Sequence, residues 1–208
     1  MSFTRITRRL IRENGIDIHN YKLYEITAGP CTFETLVTAS PTQVGRWLAN
    51  YTRYPDDISL IVGLDVEWRR NPEPNMNNPV ATLQLCIGDK CLIFQILHAP
   101  CIPRALTSFL KKENVRFVGV GILEDCDKLE RDYNLEVLHA VDPRFHDDLQ
   151  VPGLAPLDNL MLDLDVDKPH HIIMSDWDNR FLTDDQVQYA AVDAFFYCNL
   201  AHNLMMDW

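Results

Sequence analysis

No apolar run in this chain approaches the eighteen or so residues that a helix needs to cross a bilayer, which excludes a helical membrane span. Positive charge is scarce. With 19 Lys and Arg against 30 Asp and Glu, the formal net charge is −11, a sign that opposes adhesion along a polyanion and excludes a protein that coats long nucleic acid. Six cysteines are present, Cys31, Cys86, Cys91, Cys101, Cys126 and Cys198, yet no two form a Cys-X-X-Cys pair. That spacing rule removes the common zinc and dithiol motifs. No secretory leader is visible, so reduced thiols in the cytoplasm or nucleus are the expectation. Cys86 and Cys91 flank a Gly88-Asp89 turn and would face each other across a hairpin.

What the chain has is enough apolar residue, 47% of 208, to bury one sizeable core. One main domain is expected over residues 21–208, preceded by an arm over residues 1–20. The arm carries Arg5, Arg8, Arg9 and Arg12, a composition shared with organelle transit peptides, but Glu13 and Asp17 intrude and no cleavage-like region follows. Packing against another subunit is the preferred role for it.

The loudest chemical signal is the run Ile61-Val62-Gly63-Leu64-Asp65-Val66-Glu67-Trp68. In a strand, side chains two residues apart share a face, so Asp65 and Glu67 stand together. Neighbouring carboxylates repel, and a divalent cation such as Mg²⁺ or Mn²⁺ is the usual reason to keep them. Two solvated acids at a strand end are the bland alternative. A second signal is Thr183-Asp184-Asp185-Gln186, a hydroxyl N-cap with acids in the first turn and Gln three residues on. The helix it opens is almost wholly apolar except for Asp193, and a carboxylate in such a helix requires a partner. Tyr189, one turn earlier, shares its face. A third is Arg116-Phe117-Val118-Gly119-Val120-Gly121 leading into Ile122-Leu123-Glu124-Asp125, which sets Asp125 at a helix N-terminus, where Glu124 or Asp127 could equally serve as a capping acid.

Taken together, Gly63-Leu64-Asp65-Val66-Glu67-Trp68, Gly119-Val120-Gly121-Ile122 with Asp125, and Tyr189-Ala190-Ala191-Val192-Asp193-Ala194 resemble the three motifs of the ribonuclease D and Werner-exonuclease group. That group is the tyrosine variant of the DnaQ-like 3′-5′ exonucleases. Val80 to Leu85, Ser175-Asp176-Trp177, Leu182-Thr183 and Gln186 extend the likeness in the same order. Family members often carry basic residues before the Ser-Asp-Trp segment, where this chain has Lys168-Pro169-His170-His171. The two histidines are read as an unpaired surface pair and stay outside the catalytic set.

The resemblance implies an α/β fold, a ribonuclease H-like mixed sheet flanked by helices. It further implies two Mg²⁺ or Mn²⁺ ions bound by Asp65, Glu67, Asp125 and Asp193, with Tyr189 orienting the attacking water. Nucleoside 5′-monophosphates would leave one at a time from a single-stranded 3′ end. Lys128, three residues after Asp125, is a candidate phosphate contact, with a solvated surface lysine as its alternative. The format is similar to the plant stand-alone exonucleases, including the group that clears RNA fragments from the silencing complex as hexameric rings. Short single-stranded RNA is therefore the favoured substrate. A Werner-like DNA exonuclease is the alternative, and a catalytically silent binding module of the same fold is a second class.

The remaining elements follow from pattern. Residues 21–26 and 33–38 alternate as a hairpin turned at Gly29-Pro30, expected at the outer edge of the sheet. Ser40-Pro41 opens a helix reaching Tyr51, and residues 61–68, 81–87 and 91–95 form an antiparallel meander. Helix 103–112, strand 117–121, helix 126–133, strand 137–141 and a final helix from Asp184 to about Met205 complete the layout, with Phe195, Phe196 and Tyr197 expected as core or interface residues. The Arg-rich arm and the apolar tail 204–208 are the candidate subunit contacts.

Overall fold

Strand alternation builds the centre of the molecule. In the computed structural model, which describes residues 6–14, 21–51, 59–71, 73, 76–144 and 170–205, strand β4 (Leu60–Glu67) sends Val62, Leu64 and Val66 into an apolar cluster on one face. The intervening residues Gly63, Asp65 and Glu67 therefore fall on the other face. Strands β1 (Ile6–Asn14), β2 (Tyr21–Ala28), β3 (Cys31–Thr38), β5 (Thr82–Ile87), β6 (Lys90–Phe94), β7 (Val115–Val118) and β8 (Ala140–Val141) join it in an eight-stranded sheet of order β1-β2-β3-β6-β5-β4-β7-β8. Pairing is mixed. β3 with β6, β4 with β7 and β7 with β8 run parallel, and the other neighbours run antiparallel.

Helices α1 (Pro41–Ala49), α2 (Arg104–Leu110) and α3 (Ile122–Tyr133) contribute to the first cluster, which also takes Leu83 and Leu85 of β5 and Leu92 and Phe94 of β6. Each fully buried aliphatic side chain there contributes about 1.5–3 kcal/mol of transfer free energy. The opposite face is covered by one long helix. This is α5 (Asp184–Met205), preceded by the single turn α4 (His170–Ile173), and its Val187, Ala190, Ala191, Ala194, Phe195 and Cys198 pack in a second cluster with Tyr24, Phe33 and Ile93. Phe195 stacks on Phe33 of β3 with ring centroids 4.0 Å apart. Phe195, Phe196 and Tyr197 are all buried, as their apolar setting suggested.

Three expectations change. Residues Ile6–Asn14 of the expected arm form β1, paired antiparallel with β2, so the 21–38 hairpin is not the edge of the sheet. The arginines hid this strand: Arg8 bonds Gln188 at 2.8 Å and Asp185 at 2.7 Å on α5, and Arg9 pairs with Glu25 at 2.7 Å, so polar partners replace the apolar alternation that marks a strand. Residues 1–5 and 15–20 of the arm and 206–208 of the tail lie outside the described residues. Cys86 and Cys91, expected as reduced thiols, are directly opposed in the β5–β6 ladder and joined as a disulfide. Helix α3 starts four residues earlier than its apolar pattern suggested, at Ile122, because Gly121 takes the left-handed conformation at its N-cap (φ 80°).

Gly63 is where α5 meets the sheet. A Cβ at that position would lie 1.9 Å from the Ala194 carbonyl oxygen and 2.8 Å from the Cys198 nitrogen, so only glycine admits the helix backbone at this separation. Both obstacles are main-chain atoms that cannot step aside. Gly63→Ala is expected to destabilise the fold by about 1–3 kcal/mol and to lower activity through displacement of α5. Urea unfolding measures the first effect, and an unchanged midpoint would show that the helix sits farther from β4.

Candidate active site

Three local structures place the acids. On β4, Asp65 is opposite Gln84 and Glu67 opposite Thr82 of β5. Asp65 is 9% exposed and Gln84 is completely buried, with its amide nitrogen donating to Thr82 Oγ1 at 2.8 Å. Gln84 is thus a wall of the site that motif reading left unremarked. Its only sequence signal is that of a strand residue.

On α5 the expected capping box is formed. The Gln186 N–H donates to Thr183 Oγ1 at 3.2 Å while the Thr183 N–H donates to Gln186 Oε1 at 2.9 Å, satisfying two helix-end donors reciprocally. The Gln186 amide also donates to Ser175 Oγ at 2.9 Å, and Ser175 donates to the Ile172 carbonyl at 2.6 Å. The Ser-Asp-Trp segment is therefore tied to the start of α5. Trp177 is fully buried, its ring 6.0 Å from that of Tyr189. Tyr189 donates to Asp193 one turn on, as their spacing implied. Burial, then the charges of Asp193, Glu67 and Asp65, hold the Tyr189 phenol far above its usual range.

The third structure is the start of α3. Gly119 approaches β4 so closely that a Cβ there would lie 2.5 Å from the Leu64 carbonyl oxygen, and the Gly121 N–H donates to Asp142 Oδ2 at 2.8 Å. Asp125 then falls in the first turn, 8% exposed. Burial, with Glu124 and Asp142 nearby, pushes its carboxyl up to about 7. Asp142 differs: burial would raise it too, but the Arg144 side chain and the Gly121 and Arg144 N–H groups outweigh that and hold it below the usual carboxylate range. No sequence motif marks Asp142. Only the fold brings it from the end of β8 to the N-cap of α3.

Tyr197 joins the same field. Burial comes first, followed by Asp193, Asp65, Tyr189 and Asp125, in driving its phenol well above the usual value, so one buried hydroxyl senses three of the four acids and the other phenol. Expected as a core or interface residue, it is buried, and its surroundings are also those of the site. Among the described residues, no three Asp, Glu, His or Cys side chains already close around one point as a finished metal cage. Asp65, Asp125 and Asp193 are buried and Glu67 is partly so, and hard carboxylate oxygens of this kind fit Mg²⁺ or Mn²⁺.

Lys128 is neither the solvated surface lysine nor the free phosphate contact that its spacing suggests. It is 4% exposed, and its ammonium donates to the Asn78 carbonyl at 2.7 Å, Asp132 Oδ2 at 3.3 Å and Asn77 Oδ1 at 3.5 Å while lying 4.8 Å from the Trp68 ring centroid. All three of its protons are used, so it clamps α3 to the 77–78 segment and has none left for a phosphate. Arg69 is likewise engaged, with Asp176 at 2.7 Å and Asp178 at 2.8 Å. His170 and His171 are exposed on α4, in keeping with their reading as a surface pair, and Lys168 and Pro169 lie outside the described residues.

A model of the 3′-5′ exonuclease family matches residues 40–207. The chain belongs to the 3′-5′ exonuclease family. It is 32% identical over 152 residues to the mouse bifunctional 3′-5′ exonuclease/ATP-dependent helicase WRN, covering 67% of this chain and 11% of that protein. An Arabidopsis thaliana 3′-5′ exonuclease is 31% identical over 151 residues, 69% of this chain and 52% of the relative. A Drosophila melanogaster exonuclease 3′-5′ domain-containing protein 2 is 30% identical over 169 residues, 78% of this chain and 28% of the relative. The chain thus spans at most about half the length of these relatives. Among solved structures, Escherichia coli RNase D superposes with a TM-score of 0.62 at 18% identity, covering 80% of this chain and 42% of that one. The Aedes aegypti Nibbler EXO domain gives 0.63 at 18% identity, covering 82% and 86%. These likenesses establish the exonuclease fold, a mixed sheet flanked by helices.

The raised Asp125 has a measurable consequence. Between the ordinary carboxyl value of 3.8 and about 7, the folded metal-free protein holds a proton there that the unfolded chain has released, so this group's contribution to stability falls as pH rises through that window. The loss is on the order of a few kcal/mol at pH 8. Asp125→Asn, melted in EDTA at pH 8, is expected to unfold about 5–10 °C above the wild type, with a smaller difference at pH 4. A variant no more stable than wild type at pH 8 would show that Asp125 ionises freely.

Proposed function

We propose that this chain hydrolyses single-stranded nucleic acid from a free 3′ end with the help of divalent metal, releasing nucleoside 5′-monophosphates, and that short RNA is its substrate. The observation that carries the reading is the close packing of α5, which bears Tyr189 and Asp193, on β4, which bears Asp65 and Glu67, at Gly63, with Asp125 buried in the first turn of α3, whose approach to the same strand runs through Gly119. Asp65, Glu67, Asp125 and Asp193 would hold two Mg²⁺ or Mn²⁺ ions, which supply water activation and stabilisation of the departing 3′ oxygen when bound.

The chain's own groups divide the remaining work. Tyr189 stays protonated at neutral pH, so it cannot act as a base. Its proton is committed to Asp193, which leaves the phenol oxygen to accept a hydrogen bond from water and so aim it at the phosphate. Tyr197 and Gln84 wall the acids off from solvent, and a dry site strengthens every charge interaction within it. A net charge of −11 suits a protein that grips only a few terminal nucleotides.

RNA is favoured by the resemblance to the plant stand-alone group, which extends the proposal to a homo-oligomer, a hexamer in that group, acting with the RNA-silencing complex in cytoplasm or nucleus. Leu10 and Ile11, 44% and 47% exposed on the outermost strand β1, suit a subunit contact. DNA is the second reading, supported by the identity with WRN. A silent binding module is disfavoured because all five site residues are intact.

A Mn²⁺-supplied degradation ladder on 5′-labelled and 3′-labelled RNA and DNA oligonucleotides tests the proposal. Stepwise 3′ shortening, faster on RNA, is expected. Asp65→Ala and Asp193→Asn should each lower the rate by about 10²-fold or more without unfolding the protein. Undiminished cleavage in EDTA, or by either variant, contradicts the mechanism.

A further inference from the structure

A cavity of 360 Å³ lies beside the acid field and not within it, lined by Lys22, His98 and Arg180 together with Tyr21, Tyr24 and Phe181. Its lining contains no Asp or Glu, in a chain with 30 of them. Strands β4, β6 and β3 point the same way, and backbone bonds link their ends in sequence. The Ala81 N–H donates to the Glu67 carbonyl at 2.8 Å, the Leu97 N–H to the Ala81 carbonyl at 3.2 Å, and the Gln95 N–H to the Thr38 carbonyl at 2.9 Å. Thr38 and Gln95 line the cavity. It therefore opens on the same rim of the sheet as Glu67, three strand spacings or about 14 Å away. Tyr24, Val37, Leu182 and Val187 line it and belong to the apolar cluster under α5, so cavity and acids also share a face.

We infer that this cavity is a second subsite, which holds a nucleotide of the single-stranded chain upstream of the 3′ end being cleaved. The inference rests on the exonuclease reading above. Its volume lies in the range of built ligand pockets, and its chemistry pairs cations for phosphate with aromatic faces for a base. Phe181 is 69% exposed, next to Arg180, whose guanidinium has no carboxylate partner among the described residues. The other polar groups of the lining are partly committed. Lys22 pairs with Glu13 at 3.5 Å, Asp184 accepts from the Tyr24 hydroxyl at 3.1 Å, and the His98 ring meets the Asp178 carbonyl at 2.9 Å. Arg180 and Phe181 are thus the anchors. The loop carrying them continues into the capping box of α5, so the subsite is joined to the helix bearing Tyr189 and Asp193.

A single-stranded ladder from dinucleotide to dodecanucleotide, digested with Mn²⁺ by the wild type, Arg180→Ala, Phe181→Ala and Arg180→Lys, tests the subsite. Both side chains are exposed, so truncating them leaves the core filled. The ratio of kcat/KM for the dodecamer over that for the dinucleotide is expected to fall about tenfold in each alanine variant, mostly through KM, and to recover in part in Arg180→Lys. Equal ratios in all four proteins overturn the subsite while leaving the nuclease reading intact. If the wild type cleaves no length, that reading fails instead, and anisotropy of a labelled dodecamer decides the subsite. Arg180→Ala should then weaken binding and reduce the slope of log K against log salt by about 0.7. Identical binding and slope overturn it, as does stronger competition by a free nucleoside monophosphate than by the dodecamer.

Discussion

The contact between α5 and β4 at Gly63 is the constraint on which the site depends. β4 presents Asp65 and Glu67 toward α5, and α5 presents Tyr189 and Asp193 toward β4, but the two sets meet only because no side chain intervenes at position 63. The sheet supplies direction and the glycine supplies closeness. Around that contact the apolar clusters on the two faces provide the free energy that holds repelling carboxylates together.

Those carboxylates are not equivalent. Asp142 is compensated by Arg144 and two N–H groups and reads as a structural acid that fixes the start of α3. Asp125, one helical turn inside that start, has no such compensation and is pushed toward neutrality. Tyr189 and Tyr197 on α5 are driven upward first by burial and then by the charges of Asp193 and Asp65, with Glu67 adding to Tyr189 and Asp125 to Tyr197. Two carboxylates on the same helix start thus take opposite protonation behaviour, and the phenols complete a wall of groups that retain protons at neutral pH. Groups whose protonation is pushed apart by burial and by specific partners in this way cluster at functional sites.

Much of this was legible before the fold. The Asp65 and Glu67 pair follows from a two-residue period, the Tyr189 and Asp193 pair from a four-residue one, and the capping box from Thr183 and Gln186. The three helices α1, α3 and α5, and the β4–β5–β6 meander, follow from caps, turns and apolar runs. What escaped was non-local. β1 looked like a charged arm because its arginines find partners on α5, which no local pattern reveals. Lys128 looked available because two of its three acceptors, at Asn77 and Asn78, lie 51 and 50 residues away in sequence, and only Asp132, one turn on, is local. Gln84, Asp142 and Tyr197 owe their places to strand register and helix packing, and residues at a site's wall carry no motif of their own.

Metal binding bears most directly on the claim that Gly63 brings the acids into one field. Mn²⁺ titration of the metal-free protein, followed by electron paramagnetic resonance of the unbound ion, counts the ions taken up. Two bound Mn²⁺ per chain are expected, with both affinities weakened in Asp65→Asn and in Gly63→Ala. Uptake of no Mn²⁺, or uptake indifferent to both substitutions, would contradict the account.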